Sequence, residues 1–226
     1  MEIGILGPLE VRVDGRAVQI TGSRLRALLT RLAIDAPAVV TTSQLVDAVW
    51  PVDPPAEPVN ALQTLISRVR RALGGPAVIA QVPGGYRLAV ARDAVDAAAF
   101  VDLAAAGRRD LADSSTQTAR DTLAKALALW RGEPLADAGD AGYAAAPIVR
   151  LLDQRLDAQT DLIEAELELG RAADVIGDLE GLITAHPLRE RIAGQLMRAL
   201  AACGRTADAL AGYEHLREAL ADELGV

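Results

Sequence analysis

Leu9, Val11 and Val13 alternate with Glu10 and Arg12, the period of a strand with one buried face. Ile3, Ile5 and Leu6 precede a turn at Gly7-Pro8. Asp14-Gly15 predicts a hairpin, because both residues tolerate positive φ, and Val18 and Ile20 continue the return strand. The period then changes. Leu25, Leu28, Leu29 and Leu32 recur at helical spacing, with Thr21 or Ser23 as the expected N-cap. A short helix is expected from Ser43 to Val49, capped by Thr42 or Ser43 and stopped by Pro51-Val52-Asp53-Pro54-Pro55. Pro58 opens a third helix, where its missing N–H costs nothing, and Gly74-Gly75 closes it after about Leu73. Val78 to Val82, Pro83-Gly84-Gly85, and Tyr86 to Val90 read as a hairpin.

Beyond Arg92–Val95 almost everything is Ala- and Leu-rich helix, predicted over 96–112, 115–131, 144–169, 172–185, 189–203 and 206–224. An ordered loop is expected over Gly132 to Gly142. The last stretch repeats itself. Gly170-Arg171 recurs as Gly204-Arg205, Ala173-Asp174 as Ala207-Asp208, and Glu180 and Leu182 as Glu214 and Leu216. Each pair is offset by 34 residues, the period of tetratricopeptide repeats. The fold class expected is mainly α with a small β component. A winged helix-turn-helix domain occupies 1–92, and an all-α, TPR-like helical repeat domain occupies 95–226.

The third helix carries the chemistry. At about 100° per residue, Leu62, Leu65, Ile66, Val69 and Leu73 form one apolar stripe. Asn60, Thr64, Ser67 and Arg71 fall on the opposite face, within about 60° of one another. Gln63, Arg68 and Arg70 flank them. Amides, hydroxyls and guanidinium groups read base edges in a major groove, and arginine grips guanine or phosphate with two parallel hydrogen bonds. The alternative is an ordinary solvated face, but such faces usually mix in carboxylates and this one has none.

Charge changes the picture only when divided. The chain is 226 residues long with a net charge of −8. Residues 1–92 hold 10 Arg against 7 acidic side chains, and 93–226 hold 13 Lys and Arg against 24 Asp and Glu. Only the first part is suited to face a polyanion. Hydrophobic residues make up 51%, enough to bury a core in each domain. With one cysteine, Cys203, there is no intrachain disulfide, which fits a reducing cytosol. No signal peptide or membrane span is apparent, so a cytoplasmic protein with no membrane partner is expected.

Little suggests catalysis. His186 and His215 belong to no metal-spaced set, and no cofactor is expected. Cys203 reads as a small buried hydrophobe without a base beside it in sequence. Gly74-Gly75 and Gly84-Gly85 lack the Lys-Ser/Thr of a phosphate-cradling loop. Glu164, Glu166 and Glu168 diverge around a helix and read as a solvated face. Tyr86 is expected in the core at the base of the hairpin, and Trp50 and Trp130 are expected as packing anchors.

The chain resembles the AfsR/SARP family of bacterial transcriptional activators. The resemblance is carried by Leu6-Gly7-Pro8-Leu9-Glu10-Val11, Arg24-Leu25-Arg26-Ala27-Leu28-Leu29, Leu45-Val46-Asp47-Ala48-Val49-Trp50 and Pro54-Pro55. It continues through Asn60-Ala61-Leu62-Gln63, Ser67-Arg68-Val69-Arg70-Arg71-Ala72-Leu73 and Pro83-Gly84-Gly85-Tyr86-Arg87-Leu88. Later markers are Ala126-Leu127-Ala128-Leu129-Trp130-Arg131-Gly132, His186-Pro187-Leu188-Arg189-Glu190-Arg191 and Glu223-Leu224-Gly225. The resemblance implies an OmpR/PhoB-type winged helix followed by a bacterial transcriptional activation domain. It implies binding to direct repeats in double-stranded promoter DNA, often as a homodimer, and recruitment of RNA polymerase holoenzyme. It puts Asn60, Thr64, Ser67, Arg68 and Arg71 at the DNA, with Gln63, Arg70 and the wing residue Arg87 as further candidates. The loop from Trp50 to Glu57, with Trp50, Asp53 and Glu57, corresponds to the segment that contacts polymerase in related winged helices. Gln81 and Val82 stand where members often carry a basic residue before the wing turn. Larger relatives append further domains, so the chain is expected to be either a short stand-alone regulator or a fragment. The competing reading is a TPR-like protein-interaction scaffold whose winged helix does not bind DNA.

Overall fold

The computed structural model describes residues 1–139 and 141–224; Asp140, Gly225 and Val226, and with them the last residue of the quoted Glu223-Leu224-Gly225 marker, lie outside them. Its fold class is the expected one, mainly helical with two small sheets. Strands β1 (Glu2–Gly4), β2 (Glu10–Val13) and β3 (Arg16–Ala17) form an antiparallel sheet in that order. The predicted alternation is visible in β2, where Val11 is buried between exposed Glu10 and Arg12. Asp14 and Gly15 close the turn to β3, with Val13 opposite Arg16.

Helix α1 (Ser23–Ile34) buries Leu25, Leu28, Leu29 and Leu32. Its N-cap is Gly22, with no side-chain cap, in place of the expected Thr21 or Ser23. Strand β4 (Val40–Thr41) runs directly into α2 (Thr42–Val49). The cap of α2 is Thr41, one residue earlier than expected. Gln44 completes a capping box, its side chain accepting from the Thr41 N–H while Thr41 Oγ1 accepts from the Gln44 N–H. That reciprocal pair outcompetes Thr42 or Ser43 because only the Thr41 position puts a glutamine three residues downstream. Helix α3 (Pro58–Ala72) begins on Pro58 as expected. Strands β5 (Ile79–Val82) and β6 (Gly85–Leu88) make the wing, and β6 lies between β4 and β5. A Cβ on Gly85 would sit 2.1 Å from the Val40 carbonyl oxygen, so the β4–β6 pairing requires glycine there.

The remaining elements are α4 (Asp96–Ala112), α5 (Thr116–Leu127), α6 (Gly142–Glu168), α7 (Ala172–Ala185), α8 (Glu190–Ala202) and α9 (Thr206–Leu224). Contacts divide the chain into two compact units. One comprises Met1–Leu103 and Ala126–Arg155; the other comprises Ala104–Lys125 and the residues from Leu156 onward. Where the linear reading puts 95–226 in one piece, contacts group Asp96–Leu103 and Ala126–Arg155 with the N-terminal residues.

Two carboxylates explain that grouping in the first unit. Asp96 accepts from the Ile5 and Leu6 N–H groups at 2.7 and 3.1 Å and from Arg131 at 3.0 Å. Asp137 accepts from the Leu9 N–H at 2.5 Å and from both Nε and Nη2 of Arg26 at 2.5 and 2.7 Å. The loop between α5 and α6, expected to be ordered, also pairs with the chain start: Arg131 N–H donates to Leu6 and Leu135 N–H to Ile5. Leu135 is buried in the same core as Leu28, Leu62 and Ile79.

The Asp137 carboxyl is held below its ordinary value by the Arg26 hydrogen bonds, which outweigh burial. A carboxylate with a lowered folded pKa adds stability above its unfolded pKa of about 3.9 and loses it as pH falls through the folded value. Asp137→Ala is expected to cost about 1–3 kcal/mol at neutral pH. It should also flatten the loss of stability below about pH 4. Urea titrations of both proteins at pH 7 and pH 3 check this; parallel pH dependence would remove Asp137 from the acid response.

In the second unit α7 packs on α8 and α8 on α9. The repeat read from sequence has a matching backbone. Gly170 and Gly204 both take φ 77°. Arg171 N–H reaches back to Glu166 and Arg205 N–H to Leu200, the same helix-ending loop twice. Two expectations fail here. Cys203 is exposed at the C-cap of α8, not buried. Glu164 and Glu166 are half-buried and not solvated, whereas Glu168 is exposed as expected. Glu164 accepts from Gln195 and Arg198, Glu166 from Arg120 and Arg171, and Glu168 from Thr116. Because the three diverge, each meets a different neighbour.

Candidate nucleic-acid interface

Helix α3 is positioned from behind. Leu62, Leu65, Ile66 and Val69 are between 0 and 8% exposed, packed with Leu28, Leu32, Leu45 and Ile79. Burying such side chains stabilises by about 1.5–3 kcal/mol each, which fixes the rotation of the helix. The opposite face is therefore outward. Asn60, Gln63, Thr64, Ser67, Arg68 and Arg71 are all exposed.

These residues are not equivalent. Asn60 Nδ2 donates to Glu57 Oε2 at 2.5 Å, and Thr64 Oγ1 donates to the Asn60 carbonyl at 3.0 Å. The N-terminal end of the face thus has a carboxylate beside it, from Glu57 just before the helix. Farther along, Arg68 and Arg71 have no carboxylate partner among the described residues. Four other arginines of the unit do have one: Arg26 with Asp137, Arg31 with Asp35, Arg92 with Asp102, and Arg131 with Asp96. Unpaired positive charge thus sits on the C-terminal half of α3.

Arg70, expected as a further DNA candidate flanking that face, is instead half-buried and gives Nε and Nη2 to the Ile79 carbonyl at 2.9 and 2.5 Å. On a helical projection it lies on the flank toward β5, opposite Arg68. Its role is to tie α3 to the wing. Arg87 is exposed on β6 between buried Tyr86 and Leu88 and opposite Ala80. Tyr86 is a core residue, as expected.

The flank toward Arg68 opens on a concavity of about 270 Å³ that Gln19 and Thr21 also line. Sequence reasoning passed over both, since they lie between strand and helix, far from α3 in the chain. In the loop before α3, Asp53 and Glu57 are exposed, and Val52 is 91% exposed. Trp50 belongs to the core, at 8% exposure with the Arg24 guanidinium 5.8 Å from its ring centroid. It anchors the loop, so of the three polymerase-loop candidates only Asp53 and Glu57 are accessible. Among the described residues no cluster of His, Cys, Asp and Glu is arranged to hold a metal, and no helix is long and apolar enough to cross a membrane.

Residues 15–88 match the family model for the C-terminal domain of transcriptional regulatory proteins, and 95–226 match the bacterial transcriptional activator domain. The chain is similar to the regulatory protein AfsR of Streptomyces coelicolor, 39% identical over all of this chain and 23% of AfsR. It is 36% identical to the regulatory protein DnrI of Streptomyces peucetius, across all of this chain and 87% of DnrI. Among solved structures, Mycobacterium tuberculosis EmbR in complex with a low-affinity phosphopeptide superposes with a TM-score of 0.93 at 34% identity. That match covers all of this chain and 61% of EmbR. The chain thus spans less than two thirds of AfsR and EmbR. A winged helix followed by a helical region with these matches is the domain pair that such transcriptional regulators carry. The chain belongs to the AfsR/SARP family of transcriptional activators.

Proposed function

We propose that this protein regulates transcription by binding double-stranded promoter DNA through α3 and recruiting RNA polymerase. The carrying observation is the outward face of α3, where unpaired Arg68 and Arg71 stand with Ser67, Thr64 and Gln63 on a rigidly packed helix. In this reading α3 enters the major groove, and the wing brings Arg87 to the backbone or adjacent minor groove. Asp53 and Glu57 on the exposed loop are the polymerase-facing residues. The acidic helical region contacts protein, and family resemblance supports paired binding to direct repeats. Such work places the protein in the cytoplasm, acting by binding and not by catalysis.

The test is salt dependence on a duplex recovered by selection from a random pool. Each phosphate contact releases counterions, so log affinity should fall with log salt at a slope of about −0.9 per contact. A slope of several units is expected, reduced by about one in Arg71→Ala if that side chain grips phosphate. A flat salt profile would favour the scaffold reading.

A further inference from the structure

We propose that the concavity beside the C-terminal half of α3 is a seat for a DNA backbone phosphate, with Gln19 and Thr21 as DNA contacts. The inference rests on the DNA-binding reading above and adds residues to it. The seat is lined by Gln19, Ile20 and Thr21, by Leu25 in the first turn of α1, and by Arg68, Val69, Arg71 and Ala72. Its floor is apolar, since Ile20, Leu25 and Val69 are buried, and its rim is polar, since Gln19, Thr21, Arg68 and Arg71 are exposed. No carboxylate lines it, and the first turn of α1 carries no acidic side chain.

The rim chemistry fits a phosphodiester. Two guanidinium groups supply forked charged donors, and the Thr21 hydroxyl and Gln19 amide supply neutral ones. None of these four side chains has a protein hydrogen-bond partner among the described residues. The apolar floor keeps water from one side and so strengthens the charged bonds.

Position selects the occupant. A helix in the major groove has a sugar–phosphate backbone along each flank. On one flank of α3, Arg70 is already tied to the wing through the Ile79 carbonyl. The opposite flank is this concavity, and Arg71 shares the outward face with Ser67 and Thr64. A helix reading bases with that face brings the second backbone to Gln19 and Thr21. Such contacts hold register and carry no sequence information.

Fluorescence anisotropy of the full chain on two duplexes, one selected and one unrelated, tests the seat. Thr21→Ala and Gln19→Ala should each weaken both duplexes about 2- to 10-fold, the worth of one hydrogen bond. The ratio between the duplexes should not change. Thr21→Glu, which puts a carboxylate on the rim, should weaken both by more. Selected duplexes carrying one neutral methylphosphonate at a time locate the phosphate. Among the positions that cost wild type affinity, one should be a position where Thr21→Ala loses nothing further. Thermal unfolding should be unchanged in all three variants, since both side chains are exposed. Wild-type affinity in all three would overturn the seat while leaving the DNA reading intact. A loss confined to the selected duplex would overturn it in favour of a base contact. Failure of wild type to bind either duplex would overturn the DNA reading and the seat together.

Discussion

Arg68→Ala is expected to weaken DNA binding by about 1.5–3 kcal/mol, on the selected and the unrelated duplex alike, because its guanidinium offers charged hydrogen bonds to the seated phosphate, with no change in thermal stability. The side chain is exposed and unpaired, so its removal breaks nothing inside the protein. Arg70→Ala, two residues away, should behave differently. Its charged bonds to the Ile79 carbonyl are intramolecular and half-buried, so losing them should cost about 1.5–3 kcal/mol of folding stability. Any effect of Arg70→Ala on DNA should follow from a displaced wing and be shared by all sequences. Gel-shift titration at fixed salt, paired with thermal unfolding, separates the two arginines. An Arg68→Ala protein that binds like wild type would take the DNA-binding role away from this face of α3.

That contrast shows where sequence reasoning reaches its limit. The stripe from Leu62 to Val69 was legible because burial obeys the helical period, and the outward face follows by elimination. Which flank of that face meets the wing is a tertiary fact, so Arg70 and Arg68 look alike in the chain. The same holds for Asp96 and Asp137. Their partners Ile5, Leu9 and Arg26 lie 91, 128 and 111 residues away, and no local pattern marks such a pair. Trp50 was placed both in the core and in the polymerase-facing loop, because an aromatic at the end of a helix can serve either. Its burial settles the packing role. The caps of α1 and α2 lie one residue from expectation: α1 starts on Gly22 with no side-chain cap, and at α2 the Thr41–Gln44 hydrogen bonds decide among neighbouring Ser and Thr. The 34-residue repeat, by contrast, was readable since its glycines mark a backbone turn that side chains resist.

Phe100→Ala should produce the larger loss of stability, about 3–5 kcal/mol. Phe100 is fully buried and meets Trp130 edge to face, ring centroids 5.3 Å apart at 88°. The Arg155 guanidinium lies over the Trp130 ring, 4.7 Å from its centroid. Truncation therefore opens a cavity and removes an aromatic contact worth about 0.5–1.5 kcal/mol beyond area. Phe100→Leu, which keeps most of the volume, should cost clearly less. The chain's two tryptophans, Trp50 and Trp130, both belong to the first compact unit, so their emission reports that unit's unfolding. Urea titration followed by tryptophan fluorescence should give a lowered midpoint for Phe100→Ala, with Trp50 and Trp130 unfolding in one transition. The reason is structural: α4 begins on Asp96, which holds the backbone of Ile5 and Leu6, so loosening Phe100 loosens the support of the sheet that precedes α1. An unchanged midpoint, or a Trp130 signal that melts separately from Trp50, would mean that residues beyond Val95 do not fold as part of the winged-helix unit.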